Sequence, residues 1–532
     1  MSTTAALPRH TLRRHAALAL AGVLAMVSTT VLTAVETTTA AYVDSAVATT
    51  STDDDALTTG PIALSPSRLY LNQTEAVLQD DGTLWVWGYR GNGLSGTGVG
   101  TVPDGDTPSA VVLPNDGYTG LGNRRIVKVA GGTNDNYYES SYSAFGALSD
   151  DGLVYTWGGT SAQMMGRSGD YTSPGEVAIP GTVVDLRSQG GVFMALTSAG
   201  ELYTWGNPQG EGMTGQGAAG TYGSTPRLIL TGVHSMSAGL WNGWAVVTGS
   251  WSTVRYNTNA AGVREDGDGL PGVVFFGRND AVYGGRQKGD GNVGIPILAP
   301  LNEYEATPVK AWTLTALSYG VTTLTGLANL INNLDPSGFD SGCRSLGVMA
   351  GSAGDACVIQ EMTGHYYGSQ VRLRSGDVWT WGYAAEEGAG HQGAGTVQYT
   401  PMPTDVDGAS IVKVAPSEDI VIMLDSGGGV WMYGRFASQY GFPDPATGAP
   451  SRTNRIDPVR ITAWGSDNAD IGAHGYSASL LKTDGSFYSV GGGYANANNN
   501  PSLAVRDSFG ENTAPTSPAR PLTEMVWPGG VG

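Results

Sequence analysis

A short phrase that recurs six times along the chain constrains its fold more than any other feature of the sequence. Each copy begins with a turn glycine, continues as an alternating run and ends in an aromatic residue followed by glycine, with Val490 in place of the aromatic in the last copy. An internal repeat of this kind predicts an array of similar units, each of which buries its apolar face by packing on its neighbours. The copies are GTLWVWG at 82–88, GLVYTWG at 152–158, GELYTWG at 200–206, GDVWTWG at 376–382, GGVWMYG at 428–434 and GSFYSVG at 485–491.

The residues around each phrase indicate that one unit is made of short β-strands. An apolar run such as ALTS at 195–198 precedes the turn glycine, and the alternating run after the glycine is typical of a half-buried strand. A glycine-rich loop, a Ser/Thr-Pro step and another apolar strand follow, and the strand IVKVA occurs literally twice, at 126–130 and 411–415. A degraded unit with strands at 245–248 and 273–277 brings the predicted number of units to seven, which can close into a ring.

The composition agrees with an all-β array and excludes two classes of partner. The 532 residues include 80 glycines, and only 14% of them are charged, which is unlike a helical enzyme. The formal net charge of −19 repels phosphate groups, so nucleic acid and anionic lipid are excluded as predicted partners.

The recurring phrase resembles the repeat of the regulator of chromosome condensation family, whose signature is a strand, an Asp-Gly turn and an aromatic-rich strand that ends in Trp-Gly. The resemblance covers most of residues 65–530 and implies an all-β fold, a seven-bladed β-propeller. Family members that exchange nucleotides on a small GTPase are nuclear and contact chromatin, and the acidic charge of this chain argues against those roles. We expect the tryptophans of the phrase to pack between blades. The Trp-Gly pairs that carry the resemblance are Trp87-Gly88, Trp157-Gly158, Trp205-Gly206 and Trp381-Gly382.

The N-terminal part of the chain differs from the repeats. Residues 1–41 carry Arg13 and Arg14 ahead of a mostly apolar stretch, which is typical of an export signal, although an uncleaved membrane anchor is the alternative. Residues 42–60 are polar and predict a flexible linker. The propeller then covers residues 61–532, and the protein is predicted to be secreted or held at the cell surface, with no integral membrane domain after signal cleavage.

The two ends of the predicted ring look complementary. The first unit starts at 69–79 without a preceding copy of the IVKVA strand, and the chain ends with an extra strand within 522–530. We therefore expect the two ends to complete one blade together, so that no sheet edge stays open.

Two segments, roughly 250–271 and 315–366, break the regular spacing and are predicted to be insertions. The second has apolar residues at helical spacing, and its Cys343 and Cys357 are predicted to form a local disulfide in an exported protein. Insertions on a rigid scaffold are frequent binding sites. The candidate binding residues are Leu324, Leu327 and Ile331 in the second insertion and the unrepeated tryptophans Trp241, Trp244 and Trp251, which either stack on a ligand or belong to the core.

Acid-rich turns suggest a possible cofactor, calcium. Asp266 and Asp268 lie in a Glu-Asp-Gly-Asp-Gly run, and Asp290 precedes Gly291. Their carboxylates could supply oxygen ligands to calcium, but the spacing of a complete calcium-binding loop is missing, and solvated hairpin tips are the alternative. No other cofactor is predicted.

The sequence lacks a nucleophile elbow, a linear cluster of metal ligands and a phosphate-binding loop. We therefore predict a monomeric, non-enzymatic binding module whose propeller loops and insertions recognise an extracellular protein or a cell-surface polymer. Two alternatives stay open. One is a secreted inhibitor of an extracellular enzyme, because the resemblance extends to exported bacterial propellers that inhibit β-lactamases. The other is an extracellular lyase that uses a propeller face and would show turnover.

Overall fold

The computed structural model divides the chain into two compact units, Met1–Asp55 and Ala56–Gly532. All the residues that the structure describes lie in the second unit, so the predicted export signal and linker, residues 1–60, lie outside them. The described residues are 61–64, 304–313, 520–524 and, with short gaps, 74–278 and 359–491.

Each recurring phrase forms the second half of a β-hairpin. Around the third copy, Leu196 pairs with Leu202 in an antiparallel register, and the turn between them contains Gly200. The φ angle of Gly200 is 74°, and that of the equivalent Gly152 is 83°. A residue with a Cβ is strained in this left-handed conformation, so the glycine of the phrase is what allows the tight turn.

The strands assemble into antiparallel sheets, which we call sheets 1 to 7 in chain order; sheet 4 has five strands and the others have four. Sheet 1 consists of β1 (Pro61–Leu64), β2 (Thr74–Gln79), β3 (Leu84–Gly88) and β4 (Gly105–Val111). Sheet 2 consists of β5 (Ile126–Gly132), β6 (Ala144–Ser149), β7 (Val154–Trp157) and β8 (Gly175–Val177), with the short helix α1 (Ala162–Met165) between its last two strands.

Sheets 3 and 4 are joined into one eight-stranded sheet by the long strand β12 (Gly223–Ala238). The first half of β12 is the fourth strand of sheet 3, and its second half is the first strand of sheet 4. The other strands of sheet 3 are β9 (Val183–Gln189), β10 (Val192–Thr197) and β11 (Leu202–Gly206). Those of sheet 4 are β13 (Asn242–Arg255), β14 (Val263–Asp266), β15 (Gly272–Arg278) and β16 (Tyr304–Thr313).

Sheets 5 to 7 return to the regular plan, and sheet 6 has an additional small hairpin. Sheet 5 consists of β17 (Ile359–Gly364), β18 (Gly368–Leu373), β19 (Val378–Gly382) and β20 (Gln398–Pro403). Sheet 6 consists of β21 (Ile411–Pro416), β22 (Ile420–Asp425), β23 (Val430–Gly434) and β26 (Arg455–Arg460), and its hairpin consists of β24 (Phe442–Pro443) and β25 (Pro450–Ser451). Sheet 7 consists of β27 (Asn468–His474), β28 (Ser477–Lys482), β29 (Phe487–Gly491) and β30 (Arg520–Glu524), preceded by a 3-10 helix at Thr462–Trp464.

The first strands of the sheets follow one another in a cyclic order. Strand β5 lies beside β2 and β9, the second half of β12 follows between β9 and β17, and β21 lies between β17 and β27. Strand β27 in turn lies beside β1, which returns the series to sheet 1. The first strands therefore surround a central axis, as the predicted ring of seven units requires.

The prediction that the chain ends share one blade is wrong. Strand β1 pairs with β2 and supplies the first strand of sheet 1, whereas β30 pairs with β29 inside sheet 7. Strand β1 has the sequence PIAL, which shares only the extended conformation with IVKVA. It could therefore not be recognised from the sequence as a copy of that strand. Sheets 1 and 7 meet by packing, since β1 lies beside β27.

The first predicted insertion, 250–271, is an extension of the sheet. Strands β13 and β15 pair between Val247–Gly272 and Asn242–Gly277, in the place of the degraded unit. Beyond this pairing, β13 continues and folds back as β14, with Ser252 opposite Asp266. The extension also pairs with the middle of β12, and this contact makes sheets 3 and 4 continuous.

The hydrophobic core lies between neighbouring sheets. One cluster joins sheets 1 and 2 through residues such as Leu84 and Trp157, and another joins sheets 2 and 3 through Val154 and Trp205. A further cluster joins sheets 6 and 7 through Ile422 and Leu480. Each sheet therefore depends on its neighbours for burial, as a repeat array requires.

Candidate functional site at the turn face

The repeated tryptophans that the structure describes occupy contacts between sheets. Trp157 and Trp205 are completely buried. The indole Nε1 of Trp157 donates a hydrogen bond to the carbonyl oxygen of Leu94 at 3.1 Å, in the glycine-rich loop between β3 and β4 of the preceding sheet. A Cβ on Gly166 would lie 2.6 Å from Cδ1 of Trp205, so the loop glycine allows the close approach of this second indole. Trp87 and Trp381 lie at the corresponding strand positions.

The structure corrects the ligand-stacking hypothesis for Trp244. This side chain is completely buried and packs edge-on against Phe275, with ring centroids 4.8 Å apart. Trp251 is only 9% exposed and donates a hydrogen bond from Nε1 to Oδ1 of Asp268 at 3.3 Å. Neither indole face is therefore available as a stacking surface. Trp241 lies outside the described residues.

The acid-rich turn covers Trp251. The backbone N–H of Gly267 donates to the carbonyl oxygen of Trp251 at 2.9 Å, which holds Asp266 and Asp268 at the end of β14, where both residues are exposed. Within the described residues, no three His, Cys, Asp or Glu side chains are grouped in a way that could hold a metal ion. Asp290 lies outside them, so calcium binding by the three aspartates stays a hypothesis.

The second predicted insertion, 315–366, falls almost entirely outside the described residues. Only its end is described, where strand β17 begins at Ile359. The predicted disulfide and the predicted helix therefore stay predictions. Their residues, Cys343, Cys357, Leu324, Leu327 and Ile331, all lie outside the described part of the chain.

One face of the ring carries the connections between the second and third strands of all the sheets, and we call it the turn face. There, the turn of one sheet binds the start of the next sheet's first strand. The backbone N–H of Val183 donates to the carbonyl oxygen of Gly152 at 3.0 Å, and that of Val233 donates to Gly200 at 3.0 Å. Ile411 donates to Gly376 in the same way, at 2.9 Å. The turn face is thus a rigid surface with repeated geometry.

A β-bulge lies at the same place in the first strand of all seven sheets. The pairing with the second strand skips the residue that follows the first one, so this residue has no opposite partner. The skipped residues surround the central axis at the turn face, and we call them the mouth ring. They are Ile62, Val127, Val184, His234, Gln360, Val412 and Ala469.

Apolar side chains of the mouth ring are exposed. Val184 is 50% exposed and Val412 is 41% exposed, and the one other large apolar side chain found exposed in the described part of the chain is Val263, in the β14 hairpin. Val184 and Val412 lie on the turn face, whereas Val263 pairs with Arg255 at the far end of the hairpin. Ala469 and His234 are exposed as well, and Val127 is half-buried.

The sequence contained a signal for this ring. Val127 and Val412 are the second residues of the two literal IVKVA strands. Strict alternation gives the second residue the opposite side from the first and third, but it cannot reveal the bulge that exposes this residue beside the axis.

Ion pairs between neighbouring sheets lie one residue after the bulges and hold the strands that carry the mouth ring. The residue after each bulge is Lys128 in sheet 2 and Asp185 in sheet 3, and these two form an ion pair. The same positions in sheets 6 and 7 hold Lys413 and Asp470, whose Nζ and Oδ1 atoms are 2.5 Å apart. These bonds tie consecutive first strands together and fix the backbone that carries the mouth ring.

Two titratable groups near the axis have shifted pKa values. Burial by itself raises the pKa of Asp185, but the positive charges of Arg187 and Lys128 outweigh it and leave the pKa below its ordinary value. His234 is reached by solvent at the mouth ring, yet the protein atoms around it remove enough water for burial to lower its pKa. His234 is therefore mainly neutral at pH 7.

Comparison with known proteins identifies the fold. No family model matches the sequence, and no curated protein matches it either. The structure of human WBSCR16 is similar, with a TM-score of 0.51 at 15% identity, over 77% of this chain and 84% of that chain. Prp20p from Saccharomyces cerevisiae gives a TM-score of 0.52 at 15% identity, over 84% of this chain and 87% of that chain. Yeast RCC1 (Prp20) bound to Kap60 gives 0.49 at 14% identity, over 80% of each chain.

These similarities show the fold and nothing beyond it, because the sequence identities are low. The chain has the fold of an RCC1-type β-propeller, as the resemblance of the Trp-Gly phrase predicted. In the part of the chain that the structure describes, no helix has the length and apolar character needed to cross a membrane.

Proposed function

We propose that this chain is an exported binding module that recognises a partner protein through its turn face. One observation carries the proposal: large apolar side chains are exposed at the mouth ring, although the described part of the chain exposes only three such side chains, Val184, Val263 and Val412. Two of them occupy equivalent positions of the mouth ring. Apolar groups on a rigid backbone suit protein recognition, because little conformational entropy is lost when a partner covers them.

A protein is favoured over a cell-surface polymer as the partner. Sugar recognition by stacking needs accessible aromatic faces, and Trp244 and Trp251, which the sequence offered for that purpose, are buried. The structure of Prp20p, which shares the fold, is described together with its binding to Gsp1p and histones. This fold is therefore known to accept protein partners.

The location of the protein outside the cytoplasm is part of the proposal and is supported by the sequence of residues 1–41. An inhibitor of an extracellular enzyme is one form that such a binding module could take. Fractionation of the producing cells, with an antibody against the chain, would test the location directly; a signal confined to the cytoplasm would refute export.

The binding test uses the full chain as bait against the co-secreted and envelope proteins of the producer. We expect the double variant V184S/V412S to lose the captured protein, because both apolar contacts of the mouth ring are removed. The matched control is V263S, which removes the exposed valine of the hairpin and leaves the mouth ring unchanged. Capture that survives V184S/V412S and is lost in V263S would move the site to the hairpin and contradict the proposal.

A further inference from the structure

We infer that the partner is a protein with an apolar protrusion surrounded by basic residues, and that the protrusion docks on the mouth ring. This inference rests on the proposed function and adds to it the chemistry of the partner.

Exposed carboxylates surround the mouth ring on the turn face. Asp150 lies in the turn of sheet 2, whose Gly152 binds the strand that carries Val184. Asp407 lies just before the strand that carries Val412, and Asp266 lies in the hairpin of sheet 4. All three aspartates are exposed, so the apolar centre has acidic surroundings on several sides.

Several basic residues of the same face are bonded within the protein, whereas Arg125, whose carbonyl oxygen accepts a hydrogen bond from the N–H of Asp150, is exposed. Arg124 pairs with Asp151 at 2.6 Å, and Lys482 pairs with Asp467 at 2.7 Å. Arg264 donates to the hydroxyl oxygens of Ser252 and Thr231. By contrast, Asp150, Asp266 and Asp407 form no ion pair with any described residue.

Their carboxylates therefore face solvent without an ion pair to a described residue. A negative field of this kind attracts cations and repels acidic surfaces, especially beside a low-dielectric apolar centre. Nucleic acid is excluded as the source of complementary charge, because its phosphates are negative. We therefore infer that the complementary charge comes from basic residues on the surface of a protein.

The backbone at Asp407 fixes the turn that carries this carboxylate. Its φ angle is 50°, and within the described residues it is the single non-glycine residue with a positive φ. Its N–H is held by Oδ1 of Asp405 at 3.0 Å. The turn thus holds an acidic residue, close to the start of β21, in a left-handed backbone conformation that glycine adopts more readily.

Asparagine also tolerates a positive φ, so D407N removes the charge without adding strain. D150N does the same in the turn of sheet 2. The double variant D150N/D407N therefore tests the charge, while the apolar mouth ring stays intact.

The probes are three cyclic hairpin peptides with the sequence Leu-Leu at the tip, flanked by lysines, glutamines or glutamates. A fourth peptide has lysine flanks and a Ser-Ser tip. Binding of each fluorescent peptide to the full chain is measured by anisotropy at low salt. We expect the lysine-flanked Leu-Leu peptide to bind roughly tenfold tighter than the glutamate-flanked one, the range for a few exposed charge pairs.

We expect D150N/D407N to remove most of the preference for the lysine-flanked peptide. We expect V184S/V412S to weaken the binding of both Leu-Leu peptides. Equal binding of the lysine and glutamate peptides would overturn the inference, as would equal binding of the Ser-Ser peptide, which would indicate attraction by charge alone.

The two proposals fail in different ways. If V184S/V412S abolishes protein capture while D150N/D407N captures the same protein undiminished, the proposed function stands and the basic partner is wrong.

Discussion

Sheets 2 and 4 share the four-strand plan, but the connection between their second and third strands differs. In sheet 2 it is a tight turn, and the carbonyl oxygen of Gly152 accepts a hydrogen bond from the first strand of sheet 3. In sheet 4 it is an extended hairpin that carries β14 and rests on Trp251. The difference shows that the four-strand plan persists when the connection on the turn face is replaced, so this connection is free to vary.

The largest expected effect is a loss of stability on removal of a tryptophan, and it should differ between sheet 2 and the hairpin of sheet 4. W157A removes an indole that fills the contact between sheets 1 and 2, and we expect it to cost about 3–5 kcal/mol of stability. W251A removes an indole that contacts the hairpin and the core cluster between sheets 3 and 4, and because Trp251 keeps 9% exposure we expect its cost to be smaller. Thermal unfolding of the two variants measures the difference. Equal destabilisation would mean that the hairpin belongs to the scaffold, and the comparison would fail.

A second pair of variants tests the turn glycine. Gly152 and Gly485 have nearly the same φ, 83° and 85°, but a Cβ on Gly152 would lie 2.4 Å from Thr182 whereas a Cβ on Gly485 meets nothing within 4 Å. We expect G485A to cost about 1 kcal/mol from backbone strain alone and G152A to cost about 2–4 kcal/mol because the next sheet is displaced as well. Chemical denaturation is the measurement. Equal costs would show that the contact between the sheets adds nothing.

The ion pairs below the mouth ring predict a pH dependence. The pKa of Asp185 is lowered in the folded protein, so its stabilisation is present above the unfolded pKa, near 4, and is lost as the pH falls through the folded value. We expect D185N to cost about 1–3 kcal/mol at pH 7 and to differ progressively less from the parent below about pH 4. Unfolding curves at several pH values check this. A deficit that stays constant down to pH 2 would contradict the role of the charge.

The smallest effect on stability is expected at the mouth ring itself. V184S and V412S replace exposed side chains and should change stability by no more than about 0.5 kcal/mol. Melting temperatures within a degree or two of the parent would agree with this, since the ring holds these residues and does not depend on them. A large loss of stability would mean that the valines are structural, and loss of capture could then no longer be assigned to a binding contact.

The scaffold could be predicted from the sequence, because its determinants are local and repeated. The glycine turn, the alternating strand and the Trp-Gly pair each follow from backbone sterics and burial at fixed spacing. Strand β1 escaped prediction, because PIAL matches its relatives only in conformation.

The mouth ring could not be predicted, since a bulge breaks the alternation from which burial is read. The sequence left two alternatives for Trp244 for a related reason: absence from the repeat does not decide exposure, and the degraded sheet 4 uses this indole as core against Phe275.

Hydrogen exchange of the full chain, with and without its captured partner, tests the central claim most directly. We predict slower exchange at the starts of first strands on the turn face, in segments such as 183–186 and 411–414, with little change in the loop at 162–174 on the opposite face. Protection confined to 162–174, with no change around Val184 and Val412, would contradict the assignment of binding to the turn face.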